Sequence, residues 1–202
     1  IWDQKLTHGA SGNISARIPG TNKCIIKPSG YSFGDLEPQH FIVVDIETRK
    51  VLEGKEKPSI ETPFHTKLYK QWPAAVGVVH VHPQYCTILS ILEQEIVPMG
   101  VEIFEAPALA KGIPVSKFAP PGTDELADNL VASMKEHVAA LMPQHGLTTI
   151  GKTIEEAATN AKMAEFLAKL PYDVMLVGKP RPLRDDVKKM LLDKAKTKGY
   201  LI

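Results

Sequence analysis

The sequence predicts an α/β sandwich built on a mostly antiparallel sheet. Three observations carry that expectation. Short runs rich in β-branched residues lie close together in the first quarter of the chain, separated by turn residues. Longer stretches with capping residues and helical spacing follow them. Strands and helices then mix without the strict alternation that a parallel sheet requires.

In chain order, Asn13 to Arg17 and Cys24 to Lys27 read as strands separated by Pro19, Gly20, Thr21 and Asn22. Pro28-Ser29-Gly30 turns the chain, and Phe41 to Asp45 is a further short strand. Ser59 to Trp72 has helical character: Phe64, Leu68 and Trp72 recur on one face, and Ser59 or Thr62 can cap its start. Pro63 suits a first helical turn, where no amide hydrogen is needed. Val76 to His82 is a nearly continuous apolar run, as expected of a strand buried on both faces. Pro83 ends it and opens a helix through Cys86, Ile88 and Leu89.

Pro120-Pro121-Gly122 is a rigid loop, after which Thr123 caps a helix with Asp124 and Glu125 in its first turn. Ala139 to Met142 and Leu147 to Ile150 read as two strands interrupted by Pro143-Gln144-His145-Gly146. Thr153 caps a helix with Glu156 completing a capping box; Ala157, Ala161, Ala164 and Leu167 form its apolar face. A charged helix is expected from about Arg184 to Lys198.

No repeat, low-complexity tract or linker divides residues 1–202, so a single domain is expected. Hydrophobic residues make up 44% and charged residues 23%, an ordinary globular balance. With 24 basic and 23 acidic side chains the net charge is +1, which gives no electrostatic support for nucleic-acid binding or a polybasic membrane patch. No apolar run approaches the roughly 20 residues that cross a bilayer. Cys24 and Cys86 both sit in apolar stretches and read as small buried hydrophobes in a reducing compartment. The chain opens on Ile1 in what reads as the end of a helix, so a short N-terminal segment is expected to be missing. The expected location is cytoplasmic.

Three features call for chemistry. The first is His80-Val81-His82: side chains two apart on a strand share a face, so both imidazoles emerge together. Neutral imidazole is a good ligand for zinc and its transition-series neighbours. A lone histidine there would be read as a hydrogen-bonded core or surface residue; two on one face leave both readings open. The second is His145, between two strands, which can supply the third ligand that a catalytic zinc site requires. The third is Glu61, near the start of a helix. It is either a carboxylate complementing the helix dipole or, if it faces the metal, a general base or displaceable fourth ligand. Gln84 stands where a metallo-β-lactamase pattern needs aspartate, and the helix opened by Pro83 does not suit a cupin barrel. His8, His40 and His137 read as surface groups, and His65 as a structural hydrogen-bonder.

Ser11-Gly12-Asn13 and Pro28-Ser29-Gly30 border strands with small residues whose amides and hydroxyls can cradle an anion, and Ser59 at a helix start adds a third such group. Each alone is ordinary turn chemistry. Together, beside a metal, they suggest a small negatively charged substrate.

The order and spacing of Ser11-Gly12-Asn13-Ile14-Ser15, Pro28-Ser29-Gly30, Pro58-Ser59-Ile60-Glu61, Val79-His80-Val81-His82 and Gln144-His145-Gly146-Leu147 resemble the class II aldolase and adducin-head family, from Gly9 to about Gly178. The resemblance implies a three-layer α/β/α sandwich, a homotetramer with active sites between subunits, and zinc held by His80, His82 and His145. It implies Glu61 as the catalytic carboxylate and Gly12, Asn13, Ser29, Gly30 and Ser59 as phosphate-binding groups. The implied substrate is a small phosphorylated or carboxylated sugar-like molecule. The implied reaction is aldol cleavage through a metal-stabilised enediolate, with epimerisation, decarboxylation or a non-catalytic adducin-like role as alternatives. Ile60 stands where fuculose-phosphate aldolases commonly have a second serine, and Phe118 where a loop tyrosine is common. Lys198 falls at the matching C-terminal position, with Tyr200 close by as a candidate proton-handling group supplied to a neighbouring subunit.

Overall fold

The short β-branched runs do pair into a sheet. A computed structural model describes residues 1–179 and 181–200, and shows β1 (Asn13–Arg17), β2 (Lys23–Ile26), β3 (Ile42–Asp45), β4 (Val51–Glu53), β5 (Gly77–Val81), β6 (Ala139–Met142) and β7 (Gly146–Gly151). They form one sheet in the order β4-β3-β2-β1-β5-β7-β6, with every neighbouring pair antiparallel. The strand read from a nearly continuous apolar run, β5, lies inside the sheet between β1 and β7 and is buried along its whole length.

Helix α1 (Thr62–Gln71) covers one face of this sheet, because the Ser15 hydroxyl of β1 meets both His65 and Tyr69 of α1. Helix α3 (Asp124–Ser133) packs alongside α1. Helix α4 (Ile154–Val177) covers the other face: the Thr149 hydroxyl of β7 donates to the Ala157 carbonyl, and Asn160 donates to the Ile150 carbonyl. Helix α2 (Gln84–Ile91) packs against α4, and α5 (Asp185–Thr197) lies over the 3-10 segment Pro107–Lys111. The layers are therefore α/β/α. Among the described residues no helix is long and apolar enough to cross a membrane.

The two threonine caps behave as their sequences predict, while the Glu156 carboxylate, expected to complete a capping box, accepts from the Lys152 amide at 3.0 Å. The Thr123 hydroxyl accepts from the Leu126 amide and the Thr153 hydroxyl from the Glu156 amide, each at 3.1 Å. The start of α1 differs. Its N-cap is Glu61, whose side chain makes no capping bond; Ser59 instead accepts from the Glu61 amide at 3.2 Å, inside a turn closed by the Thr62 amide donating to the Ser59 carbonyl. That turn frees the Glu61 carboxylate from capping duty. Strand β4 has no signature in the sequence because it is an edge strand exposed on all three residues, with no buried face to impose alternation. Helix α4 runs well past its expected apolar face and through Pro171, whose missing amide hydrogen removes one backbone bond.

Candidate metal centre

The site begins with register. Asn13 pairs with His80 across β1 and β5, and His80 pairs with Thr148 across β5 and β7. Residues directly opposite in an antiparallel ladder share a face, so all three side chains form a row beneath α1. His82 follows the last residue of β5, two positions beyond His80, and its ring stacks edge-on against His80 with centroids 4.7 Å apart. The strand thus ends one residue before the expected His82, yet the pair shares a face as its spacing predicts.

His145 comes from the tight turn between β6 and β7. Gln144 takes a left-handed backbone conformation there, with φ 55°, at a cost of about 1 kcal/mol for a residue with a side chain. The His145 amide donates to the Met142 carbonyl at 3.1 Å, and the ring folds back to 4.7 Å from His80 and 5.0 Å from His82. Two glycines make room. A Cβ on Gly146 would stand 2.7 Å from His82 Cδ2 and 2.6 Å from the Val81 carbonyl oxygen; one on Gly12 would stand 2.7 Å from the His80 carbonyl oxygen. Either would push the imidazoles out of line.

His80, His82 and His145 form a group that could hold a metal ion, with one ligand atom from each within 4.8 Å of the others. The chemistry of the donor set supports this. His80 Nδ1 lies 2.9 Å from the Leu147 carbonyl oxygen, which can only accept, so Nδ1 carries the proton and Nε2 presents its lone pair. His80 Nε2 in turn faces His82 Nε2 at 2.9 Å. Burial lowers the pKa of all three rings, His145 to about 4 and His80 well below its ordinary value, with the neighbouring imidazoles adding to the effect on His80 and His145. All three are therefore neutral at pH 7, the form that ligates.

Glu61 completes the cluster. Its Oε2 lies 3.3 Å from His80 Nε2 and its Oε1 3.3 Å from His145 Nε2. Oε1 is buried with no hydrogen-bond partner. Burial raises this carboxyl to about 7, opposed by the hydrogen bond from Asn13 Nδ2 at 2.6 Å. A buried, unsatisfied carboxylate oxygen aimed at converging imidazoles is the environment that a cation relieves.

A cavity of about 210 Å³ opens beside the cluster. Its wall brings together Gly12, Asn13, Ser29, Gly30 and Ser59, the anion-binding candidates of the sequence, with Glu61, His82 and His145. Asn13 has its amide committed to Glu61 and His65, so only its second N–H remains for a ligand. Lys27, which belongs to none of the sequence motifs, joins them. It lies against the same cavity with the residue 1% exposed, its ammonium donating to the Ala10 carbonyl at 3.2 Å and resting 5.2 Å from the Phe33 ring centre. Burial lowers its pKa to about 8. The available signal was a lysine ending the apolar run Cys24-Ile25-Ile26, since a buried ammonium is costly unless an anion meets it.

Tyr200 lies elsewhere in its own chain. It packs half-buried on the core beside Gly199, whose carbonyl accepts from Lys152 just past the end of β7. His145 precedes the opposite end of that six-residue strand, about 17 Å away at ~3.3 Å per residue. Phe118 is 56% exposed on the loop before Pro120.

Comparison with known proteins shows the family of the chain. The family model of the class II aldolase and adducin N-terminal domain matches residues 1–172. An L-fuculose phosphate aldolase from Methanococcus vannielii is 34% identical over 181 residues, covering 89% of this chain and 93% of that protein. A 5-methylthioribulose-1-phosphate/5-deoxyribulose-1-phosphate aldolase from Rhodospirillum rubrum is 31% identical, covering 96% and 85%. A solved L-fuculose 1-phosphate aldolase superposes with a TM-score of 0.89 at 27% identity, covering 96% of this chain and 90% of that one.

Proposed function

Because the chain belongs to the class II aldolase and adducin family, we propose that it is a zinc-dependent aldolase that cleaves a small ketose phosphate to dihydroxyacetone phosphate and an aldehyde. The observation that carries this reading is the cluster of three imidazoles, two of them facing the Glu61 carboxylate, at the wall of a cavity lined by candidate anion-binding groups. A zinc ion held by His80, His82 and His145 would supply Lewis acidity toward a substrate carbonyl and offset the negative charge of an enediolate.

The chain's own groups divide the remaining work. Lys27, Ser29, Gly30 and Ser59 bind the anionic end of the substrate, with Gly12 and the second N–H of Asn13 beside them. In the cleavage direction a substrate hydroxyl passes its proton to water in the open cavity, the carbon–carbon bond breaks with its electron pair left on the ketone half, and the aldehyde departs. Glu61 then delivers a proton to the carbon left electron-rich, and in the reverse direction removes it. A carboxyl poised near neutrality suits both directions.

Ile60 favours a second reading. It is 56% exposed on the cavity wall next to Ser59, an apolar side chain where an anion is to be held. A site with fewer polar groups for phosphate suits a decarboxylase of a small acid, or an epimerase, built on the same metal and carboxylate. The deciding experiment incubates zinc-loaded protein with dihydroxyacetone phosphate and a panel of aldehydes. A new ketose phosphate is the expected product. Its absence with every aldehyde, alongside carbon dioxide release from a small 3-oxo acid, would replace aldolase with decarboxylase. Protein that binds no metal and gains no activity from zinc would be a non-catalytic module.

The assembly we propose is a homotetramer with sites between subunits, in which Tyr200 serves a neighbour's site, since it cannot reach the imidazoles of its own. Truncation after Lys198 should leave an assembled, zinc-loaded protein with impaired cleavage. Undiminished cleavage would remove Tyr200 from the mechanism.

A further inference from the structure

Behind Glu61 and Asn13 runs a chain of buried polar side chains, His65, Ser15 and Tyr69, that the proposed reaction does not call on. Asn13 Nδ2 donates to Glu61 Oε2 at 2.6 Å. Asn13 Oδ1 then faces His65 Nε2 at 2.5 Å, His65 Nδ1 faces Ser15 Oγ at 2.6 Å, and Ser15 Oγ faces Tyr69 Oη at 2.8 Å. His65, Ser15 and Tyr69 are all buried.

The hydrogen-bond directions follow from one end. With Glu61 ionised, as it must be to take up a proton, its oxygens only accept, so the amide nitrogen of Asn13 faces Glu61. Its carbonyl oxygen therefore faces His65, so His65 Nε2 must carry the proton. His65 Nδ1 is then an acceptor, and the Ser15 hydroxyl donates to it. The one Tyr69 hydroxyl proton lies between Ser15 Oγ at 2.8 Å and the Val76 carbonyl oxygen at 3.2 Å, and in the shorter contact Tyr69 donates to Ser15. An asparagine amide is nearly symmetric in shape, and packing alone does not choose between its two orientations. The reversed amide would set two acceptor oxygens, Oδ1 and Oε2, against each other in a buried place. A group that can only donate toward Oδ1 prevents this.

We propose that His65 is a positioning residue for Glu61. By donating to Asn13 Oδ1 it holds the amide with its N–H groups toward the carboxylate, and Ser15 and Tyr69 hold His65 in the tautomer that does so. This rests on the reading of Glu61 as the proton carrier. The ring does not touch substrate. Its effect reaches the reaction through Asn13, and it should appear in the turnover rate rather than in substrate or metal binding.

Two measurements test it. The first needs neither substrate nor metal: ¹⁵N NMR of the histidine side chains at pH 7 should show a neutral His65 protonated on Nε2, and protonation on Nδ1 would overturn the proposal. The second follows deuterium uptake from D2O into dihydroxyacetone phosphate, catalysed by the zinc-loaded protein. His65→Leu should slow exchange about 10–100-fold, with KM and zinc content within twofold of wild type. His65→Gln, which keeps a donor toward Asn13 and an acceptor toward Ser15, should restore most of the rate and covers the case that leucine disturbs the core. In a Glu61→Gln background His65→Leu should add no further loss. An equal further loss there, or undiminished exchange in His65→Leu when Glu61→Gln is inactive, would overturn the positioning role alone. Undiminished exchange in Glu61→Gln would instead overturn the proton-carrier reading on which it rests.

Discussion

Alanine in place of His80, His82 or His145 is expected to reduce bound metal to background while the fold largely survives. Each residue contributes one nitrogen to the cluster, and two imidazoles without the third no longer make a catalytic zinc site. The structural costs should differ among the three. His80 is wholly buried, its Nδ1–H is committed to the Leu147 carbonyl, and its ring meets the edge of Phe64 with centroids 5.6 Å apart. His80→Ala leaves a cavity and an unpaired carbonyl, worth about 1–3 kcal/mol for the lost bond alone. His82 and His145 are partly exposed, and their loss should cost less. Zinc content after dialysis, read beside the thermal midpoint of each variant, checks both halves. Near-wild-type zinc in any one variant would remove that residue from the ligand set.

Glu61→Gln is expected to keep its metal and lose about 10²–10⁴-fold in turnover, the usual contribution of a general acid–base group. The substitution preserves shape, and the amide oxygen can still accept from Asn13. What it loses is the ability to take up and return a proton. The surroundings give that proton transfer its setting: Glu61 is 5% exposed, its backbone amide is held by the Ser59 hydroxyl, and its Oε1 has no hydrogen-bond partner. Turnover and zinc content measured on the same preparation decide the point. A variant that kept its rate would reduce Glu61 to a helix-start residue, and the carbon proton would need another carrier.

Much of this architecture is written in short stretches of sequence, where cause and effect lie within a few residues. The His80–His82 pair is legible because the two-residue repeat of a strand is a local property. The caps at Thr123 and Thr153 are legible because a hydroxyl and the amide it serves are three residues apart. The apolar run ending at His82 announces a central strand because a strand buried on both faces has no polar positions to spare. The motif set, with its order and spacing, also identifies the family.

Tertiary structure decided what depends on residues far apart in the chain. Glu61 reads as a helix-start carboxylate or one that faces the metal, and only the fold brings it within 3.3 Å of His80 and His145. The partners of His65 lie 50 and 52 residues away, so no local pattern could show that its ring reaches Glu61 through Asn13. Lys27 follows an apolar strand as many surface lysines do, and only closure of the cavity around Ala10 and Phe33 leaves its ammonium there. The sequence by itself determined which groups are available and on which face of each element they stand. Which of them meet was set by register and helix packing, because hydrogen bonds and burial act through space and are indifferent to separation along the chain.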